Sequence, residues 1–458
     1  MRKRFPMLRK LALLMGDMSL LFIATYLAIF VVSYFGRQQL ILTSYLNMSP
    51  IMVIAAGILF NVNGLFSLSR KKYSEVLLSL VVSIFNLFII MMAASFFLRE
   101  FDYSRSVLVI TAFFEFTFLA AWKYLFWRVD KSSMQPNNVL VVGSQSKSFR
   151  IVARLTAQPH LNYHVRYVCT DYKEDSWKKA AIEIDLVILC SDIGLEEKAA
   201  IVHFCHVHGK QVFIVPDFYD LFCSGSELDK IDDIPVFRAQ YLKPTLEQRS
   251  LKRILDLVVA GTTMLFLWPL FLIIAIAVKL DSQGPIFYSQ VRTGRDEREF
   301  SVLKFRSMRQ DAEQLTGPVL AAENDPRITS IGRFLRATRM DELPQLLNVL
   351  SGDMSIVGPR PERPVFVEQF KQEIPEYLYR HNVKPGITGM AQVYGKYNTT
   401  PNNKLIYDLM YIQKCNVLTD LVIMLQTVRV LVTKSSTEGI GVQQNKQNLS
   451  SYEINEIG

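Results

Sequence analysis

Long apolar stretches near the N terminus constrain this chain more than any other feature of its sequence. Each is close to the ~20 residues that an α-helix needs to cross the hydrocarbon core of a bilayer. The first is too long, and is followed by too many others, to be a cleaved signal peptide. The sequence therefore predicts four transmembrane helices within residues 1–130. The four stretches span residues 11–35, 48–68, 76–98 and 107–127.

The distribution of charge supports a membrane anchor. Residues 1–135 hold 14 Lys and Arg against 6 Asp and Glu, whereas the whole chain has a net charge of +9. A nucleic-acid-binding protein would place such an excess on a soluble face. Here the basic residues precede the first apolar stretch and separate the second from the third, and cytoplasmic loops are rich in Lys and Arg. We therefore expect the N terminus and the chain from residue 128 onward to lie in the cytoplasm.

Glu115 lies inside the fourth apolar stretch. An acidic side chain at membrane depth is a functional candidate by default. The alternative is a structural residue that faces the interior of the helix bundle or extends toward the interface. The structural interpretation is the one that the sequence favours.

From residue 136 the pattern changes to short apolar runs separated by helical segments. Runs at 138–144, 185–189 and 211–215 are typical of buried strands. Strands that alternate with helices indicate a parallel sheet, so we predict a Rossmann-like cytoplasmic domain over residues 136–245. After Gly143 the loop lacks the second and third glycines of a dinucleotide fingerprint. Dimerisation or regulation is therefore the expected role of this domain, ahead of nucleotide binding.

Two further patterns in the middle of the chain concern metals and disulfides. A cluster of histidines and a cysteine could bind a metal. The solvated end of a helix is the favoured interpretation, because only two members are spaced to share a helix face. The five cysteines are scattered and form no CxxC pair, which predicts a reducing compartment and no disulfide framework. The cluster comprises His203, Cys205, His206 and His208.

A fifth apolar run covers residues 257–278 without a charged residue. Its length alone indicates a fifth complete span, which would place the rest of the chain outside the cell. Two features favour another structure. Pro269 lies in the middle, where it removes a backbone hydrogen bond, and basic residues flank both ends. A broken helix over residues 250–280 that enters one leaflet and returns satisfies both observations.

Charged residues that could perform chemistry cluster after residue 280. Asp341 precedes a helical run with Pro344 in its first turn, so it could simply cap a helix. Alternatively, this carboxylate could attack phosphorus, provided that Mg²⁺ and arginines neutralise the phosphate oxygens. Glu342 could then hold the metal, since Mg²⁺ takes oxygen ligands. The basic residues nearby in the chain are Lys304, Arg306, Arg336, Arg339, Arg360 and Arg363.

The motifs around these residues resemble the bacterial sugar transferase family, the polyprenyl-phosphate hexose-1-phosphate transferases or monotopic phosphoglycosyl transferases. The resemblance extends almost continuously over residues 250–433. The predicted spans and middle domain are similar to the long form of the family, which starts exopolysaccharide, capsule or O-antigen repeat units. In order, the motifs are Lys304–Met308, Asp341–Leu346, Asn348–Leu350, Gly352–Ser355, Val357–Pro361 and Lys384–Gly389.

The resemblance implies a reaction and roles for individual residues. A hexose-1-phosphate, with glucose favoured and galactose next, would pass from a UDP-hexose to polyprenyl (undecaprenyl) phosphate with release of UMP. Asp341 would form a covalent phosphosugar intermediate, Glu342 would bind Mg²⁺, and Arg360 would contact the nucleotide sugar. Lys304, Arg306 and Arg336 match phosphate-side positions of the family. Asp408 matches a family acid of less certain role, and Arg363 is a further candidate for substrate binding.

The resemblance also implies a location. The catalytic domain, over residues 281–433, would be mixed helix and loop on the cytoplasmic face of the bacterial inner membrane. In the short form of the family a Ser-Pro pair breaks a re-entrant helix, which agrees with our interpretation of Pro269. The polar residues 434–458 are expected to form a flexible tail. We also expect a homodimer, contact with membrane lipids and no nucleic-acid partner.

Some positions depart from the family pattern. Trp268 stands where a serine would precede Pro269, Met390 replaces a common tryptophan, and Tyr394 replaces a common asparagine. The last two changes could alter contacts with the lipid or the sugar.

Two other classes of function compete with a sugar-phosphate transferase. A membrane-anchored nucleotide-sugar epimerase or dehydratase would need an intact glycine fingerprint and a Tyr-x-x-x-Lys pair, which this sequence lacks. A scaffold or chain-length regulator of polysaccharide export would need neither the acidic pair nor the arginines.

Overall fold

The computed structural model describes residues 6–36, 42–68, 70–98, 105–132, 136–172, 176–239, 241–309, 327–396, 399–432 and 455–457. The chain forms two compact units, residues 1–215 with 441–458, and residues 216–440.

Helices dominate both units. In the first unit the described α-helices are α1 (Pro6–Gly36), α2 (Leu42–Val62), α3 (Tyr73–Phe97), α4 (Arg105–Ser132), α5 (Gln145–Thr156), α6 (Ser176–Glu183) and α7 (Leu195–Val207). In the second they are α8 (Phe218–Ser224), α9 (Leu246–Asp281), α10 (Ser330–Thr338), α11 (Gln345–Ser351), α12 (Pro364–Glu373), α13 (Met390–Tyr394), α14 (Pro401–Gln413) and α15 (Val417–Val432).

The strands are short and are grouped in separate sheets. They are β1 (Asn137–Val142), β2 (Tyr163–Cys169), β3 (Leu186–Leu189), β4 (Gln211–Ile214), β5 (Glu227–Ile231), β6 (Ile234–Arg238), β7 (Phe287–Thr293), β8 (Glu299–Phe305), β9 (Ser355–Val357), β10 (Gly386–Thr388) and β11 (Asn455–Ile457).

Helices α1 to α4 correspond to the four predicted apolar stretches, and each is long and apolar enough to cross a membrane. Helix α1 packs against α4, α4 against α3, and α3 against α2. A buried ion pair joins α1 to α4, where Lys123 Nζ lies 2.6 Å from Asp17 Oδ2 and neither side chain is exposed. Because an unpaired charge is costly in apolar surroundings, each partner makes burial of the other tolerable.

Glu115 of α4 is buried within these helices. It lines one cavity together with Met52 of α2, Leu87 of α3 and Thr111 of α4. The side chain therefore faces the interior between the helices, as the structural interpretation of this residue predicted.

The α/β part of the first unit is a parallel sheet in the order β11-β2-β1-β3-β4. Strands β1, β3 and β4 are the three strands predicted from the sequence, and Val139–Val142 of β1 are completely buried. Strand β2 was not predicted, because His164 and Arg166 interrupt its apolar run. An α/β domain with a parallel sheet is therefore confirmed.

The loop after β1 is tightly packed and brings a carboxylate to the start of α5. Gly143 has a φ of +148°, and a Cβ there would lie 2.4 Å from the Cβ of Cys190. The backbone N–H of Ser144 donates a 3.1 Å hydrogen bond to Oδ2 of Asp192. In dinucleotide-binding domains this end of the helix receives a pyrophosphate. Here the carboxylate of Asp192 accepts a hydrogen bond from Ser144, the N-cap of α5.

The histidine-rich end of α7 does not converge on one point. His203 and His206 are exposed, whereas Cys205 is buried in the core beside the sheet. The ring of His208 stacks on Phe204 with centroids 4.1 Å apart. Among the described residues there is no group of three or more His, Cys, Asp or Glu that could hold a metal ion.

Two boundaries differ from the predicted ones. The second unit begins at Pro216, well before the predicted boundary at 245, because α8 packs against α14 and Gln413 Nε2 donates a 2.6 Å hydrogen bond to Leu221 O. Most of the predicted flexible tail lies outside the described residues. Within it, Asn455–Ile457 form strand β11 beside β2, which differs from a tail that is flexible throughout.

Helix α9 spans Leu246–Asp281, and Pro269 lies inside it, where it removes one backbone hydrogen bond. A capping box formed by Thr245 and Gln248 stabilises its N terminus. Large apolar side chains in the middle of α9 are exposed. For example, Phe266 is 77% exposed and Trp268 is 59% exposed. This exposed apolar surface is typical of a segment in contact with lipid.

Close backbone contact between β9 and β10 positions the segment that follows β9. The N–H of Gly358 donates a 2.8 Å hydrogen bond to Thr388 O. A Cβ on Gly386 would lie 2.1 Å from the backbone nitrogen of Gly358. Only glycine permits this approach, and it fixes the start of the rigid run Pro359-Arg360-Pro361.

Candidate active site

Asp341 and Glu342 lie in a single 3₁₀ turn, Met340–Glu342, between α10 and α11. Helix α11 begins only at Gln345, Pro344 is its N-cap, and no side chain caps it. The interpretation of Asp341 as a helix cap is therefore wrong. Asp341 is 8% exposed, and its Oδ1 is buried without a hydrogen-bond partner. A buried oxygen of this kind is a candidate for chemistry, because no hydrogen bond in the described part of the chain uses it.

Two cations hold the carboxylate of Glu342. Lys304 Nζ, from the end of β8, lies 2.9 Å from Glu342 Oε1, and Arg360 Nη2 lies 2.8 Å from the same oxygen. The side chain of Glu342 is only 12% exposed, whereas that of Arg360 is 40% exposed. Part of the Arg360 side chain is thus accessible to solvent.

Burial and nearby charges shift the pKa values of the two carboxylates in opposite directions. Burial, followed by the negative charge of Glu342, raises the pKa of Asp341, while Lys304, Arg336 and Arg339 act against this rise. For Glu342, burial alone would raise the pKa, but Arg360 and Lys304 together hold it well below its usual range. Glu342 is therefore the firmly ionised member, and Asp341 is the more basic carboxylate. In many active sites, two acids whose pKa values differ in this way have different catalytic roles.

The structure places the remaining predicted arginines differently from one another. Arg336 of α10 is half-buried and lowers the pKa of Asp341, so its charge acts on the site. Arg363 precedes α12, and its charge acts on Arg292 of β7. Sequence reasoning missed Arg292, which forms an ion pair of 3.6 Å with Glu362.

Arg306 bonds to the end of α9. Its Nη2 donates to Ser282 O at 2.6 Å and to Val278 O at 3.3 Å. The last carbonyls of a helix have no partner within it, so this guanidinium satisfies them. The structure therefore does not bring Arg306 to Glu342 in the way that its position in the chain suggested.

Asp408 is buried in α14 and pairs with Arg380, an arginine that sequence reasoning also missed. Asp408 Oδ2 lies 3.0 Å from Arg380 Nη2, and the two side chains are 3% and 7% exposed. Burial raises the pKa of Asp408 to about 6, against the opposing charge of Arg380. The one available signal was the position of Arg380 shortly before the motif that starts at Lys384.

The acidic pair is compatible with one divalent cation. Among the described residues, Asp341 and Glu342 are the acids whose charges act on both Lys304 and Arg360, whereas Glu362 acts on Arg360. Mg²⁺ usually takes one or two carboxylates and completes its shell with water and substrate phosphates. The donor set therefore fits Mg²⁺ that arrives with a phosphorylated substrate better than a metal enclosed by protein ligands.

Comparison with known proteins places these motifs in context. The family model described as "Bacterial sugar transferase" matches residues 247–434, and one described as "CoA-binding domain" matches residues 61–193. The exopolysaccharide production protein PSS of Rhizobium leguminosarum bv. phaseoli is 40% identical over 39% of this chain and 93% of its own length.

Two longer relatives are matched over a similar number of residues. One is the UDP-glucose:undecaprenyl-phosphate glucose-1-phosphate transferase of Escherichia coli K12, 41% identical over 47% of this chain and 48% of its own. The other is the UDP-N-acetylgalactosamine-undecaprenyl-phosphate N-acetylgalactosaminephosphotransferase of Aeromonas hydrophila, 41% identical over 44% of this chain and 49% of its own. The chain spans about half the length of these two relatives.

Proposed function

The chain belongs to the bacterial sugar transferase family, and we propose that it transfers hexose-1-phosphate from a UDP-hexose to polyprenyl phosphate with release of UMP. Undecaprenyl phosphate is the expected acceptor, and the product would start an exopolysaccharide or capsule repeat unit. One observation carries the proposal. A buried carboxylate with an unpartnered oxygen, Asp341, adjoins an acid, Glu342, that is held between Lys304 and the half-exposed Arg360.

The proposed reaction has two displacements at one phosphorus atom. An oxygen of Asp341 attacks the β-phosphorus of the UDP-hexose, the bond to the bridging oxygen breaks, and UMP leaves. An oxygen of polyprenyl phosphate then attacks the same phosphorus and releases the carboxylate, which gives polyprenyl-diphosphate hexose. The raised pKa of Asp341 supports the first step, because a more basic carboxylate is a better nucleophile once it is ionised.

Charge neutralisation is the main task of the surrounding residues. Lys304 and Arg360 already converge on one carboxylate oxygen, so they are spaced to bind phosphate oxygens of the donor. Mg²⁺, when bound, would supply further neutralisation of the diphosphate, with Glu342 as its protein ligand. Arg336 would add positive charge on the side of Asp341.

The contacts of α9 support a helix that does not cross the membrane. Before Pro269, Arg253 Nη1 donates a 2.6 Å hydrogen bond to Val349 O. After Pro269, Arg306 binds Val278 O, and the N–H of Ile331 donates a 3.1 Å hydrogen bond to Asp281. Both ends of α9 thus contact the same folded unit, whereas a complete span would separate them by ~30 Å of hydrocarbon. We infer that α9 bends at Pro269 and is re-entrant, with both ends at the cytoplasmic face of the inner membrane.

This topology gives the first prediction. A reporter inserted after Lys243 and one fused after Gly458 are both expected to give a cytoplasmic signal. A reporter between α1 and α2 is the control and should give the opposite signal, because one predicted span separates it from the N terminus. If the reporters at Lys243 and Gly458 lay on opposite sides of the membrane, α9 would cross the membrane completely.

The second prediction tests the reaction itself. Purified protein in detergent or nanodiscs, given undecaprenyl phosphate and Mg²⁺, is expected to release UMP from UDP-glucose or UDP-galactose, with glucose favoured. UDP-N-acetylgalactosamine belongs in the same panel, because the A. hydrophila relative carries that sugar in its name. Release of UMP from none of these donors would contradict the proposed function. A homodimer remains a prediction, which mass photometry of the same sample would test.

A further inference from the structure

The segment that carries Arg360 is held at both of its ends by main-chain hydrogen bonds. The N–H of Gly386 donates to Pro359 O at 2.9 Å. The N–H of Thr293 donates to Glu362 O at 3.0 Å. Strand β10 and the end of β7 therefore clamp the run Pro359–Glu362 from two directions.

Two arginine side chains bind the carbonyls between those ends. Arg380 Nη2 donates to Arg360 O at 2.8 Å, and Arg292 Nη1 donates to Pro361 O at 3.1 Å. All four carbonyl oxygens of this run therefore accept a hydrogen bond. Because proline also fixes φ on either side of Arg360, its main chain has one well-defined orientation.

Asp408 acts on the run Pro359–Glu362 through Arg380. Asp408 pairs with Arg380 at 3.0 Å, and Tyr377 accepts a further hydrogen bond from the same guanidinium. Since the side chain of Asp408 is only 3% exposed, its carboxylate has no free surface for a substrate. A buried guanidinium needs such a counter-charge, so loss of Asp408 would release Arg380 from its position.

We propose that Asp408 and Arg380 are positioning residues, which fix the main chain of Arg360 and thereby aim its guanidinium at Glu342 and at the diphosphate of the donor. The inference rests on the proposed function, since contact of Arg360 with the donor is part of it. It replaces the expectation that Asp408 touches the substrate. It also explains why an acid in α14, far along the chain from Asp341, would matter for transfer.

The test is a double-mutant cycle on UMP release. Asp408→Asn alone is expected to lower kcat/KM for the UDP-sugar by about 10- to 100-fold, since small misplacements of a substrate-binding group have effects of this size. In an Arg360→Lys background, Asp408→Asn should lower kcat/KM by less than about 2-fold, because its effect depends on Arg360. The cycle is read a second time on the dissociation constant of UDP, which remains measurable when turnover is low.

Asp420→Asn is the matched control. Asp420 is similarly buried and pairs with Lys252 at 2.6 Å, but it makes no hydrogen bond to Pro359–Glu362. It should lower the melting temperature as much as Asp408→Asn does and change kcat/KM less than about 3-fold.

Several outcomes would overturn the proposal and are distinguishable. If Asp408→Asn lowers kcat/KM equally in both backgrounds, Asp408 has a structural role or contacts the substrate directly. If it does not lower kcat/KM at all, Asp408 does not position Arg360. If Asp408→Asn does not fold, Arg380→Lys replaces it and must show the same dependence on Arg360. Failure of the wild-type protein to release UMP would contradict the proposed function instead.

Discussion

Replacement of Asp341 by Asn is expected to abolish release of UMP from the UDP-sugar, with a loss of at least about 10³-fold in kcat. An amide cannot displace UMP from phosphorus, since it offers no anionic oxygen. The substitution preserves shape, and Oδ1 of Asp341 has no hydrogen-bond partner that the change would remove. The folded structure should therefore persist, and the effect should be on chemistry alone.

Single-turnover measurements make this prediction specific to a covalent intermediate. Given a UDP-sugar but no polyprenyl phosphate, the wild-type protein should release UMP up to one equivalent and gain the mass of one hexose phosphate. Asp341→Asn should show neither change. Asp353→Asn is the control, because Asp353 is an exposed acid of the same unit whose carboxylate accepts a hydrogen bond from Ser351. Turnover of Asp341→Asn above about one tenth of the wild-type rate would exclude this nucleophile.

Much of the fold could be predicted because it follows from local patterns. Apolar runs of membrane length gave α1 to α4, and short apolar runs between helices gave β1, β3 and β4. Strand β2 lacked this signal, because the polar residues His164 and Arg166 flank its buried Val165. Pairing of Asn455–Ile457 with β2 is a contact across nearly 300 residues, which no local pattern contains.

The candidate site shows the same limit. Asp341 and Glu342 are adjacent in the chain, so their proximity was certain from the sequence. Lys304 and Arg306 were grouped because they are two residues apart, but β8 ends at Phe305, between them. Lys304 consequently binds Glu342 while Arg306 binds the C terminus of α9. Closeness in sequence predicts a shared site only while the two residues remain in one regular element.

The contact between Asp408 and Arg380 could not have been predicted in this way. Arg380 lies in a 3₁₀ segment, Pro375–Asn382, and Asp408 lies in α14, so their meeting depends on packing of the whole second unit. A resemblance in sequence can mark an acid as characteristic of a family. The structure adds which group that acid contacts, and here the partner is an arginine that binds the backbone beside the site.

Replacement of Glu342 by Gln is expected to lower kcat by about 10²- to 10³-fold, the usual cost of losing one group that stabilises charge in the transition state. In the present structure Lys304 and Arg360 both bind Glu342 Oε1, so this carboxylate competes with the donor phosphates for the same two cations. Without its charge, UDP should bind at least as tightly in the absence of Mg²⁺, although turnover falls. Loss of turnover with retained affinity would separate this role from simple substrate binding.

The response to Mg²⁺ completes the argument for Glu342. If Glu342 is the protein ligand of the metal, the residual activity of Glu342→Gln should no longer rise with Mg²⁺ concentration, because the proposed site has lost its firmly ionised carboxylate. Glu373→Gln serves as the control, since Glu373 is an exposed acid of α12 that accepts a hydrogen bond from Gln369. It should keep the wild-type rate and the wild-type Mg²⁺ dependence. An unchanged Mg²⁺ optimum in Glu342→Gln would mean that the metal is held by the substrate phosphates and Asp341 alone.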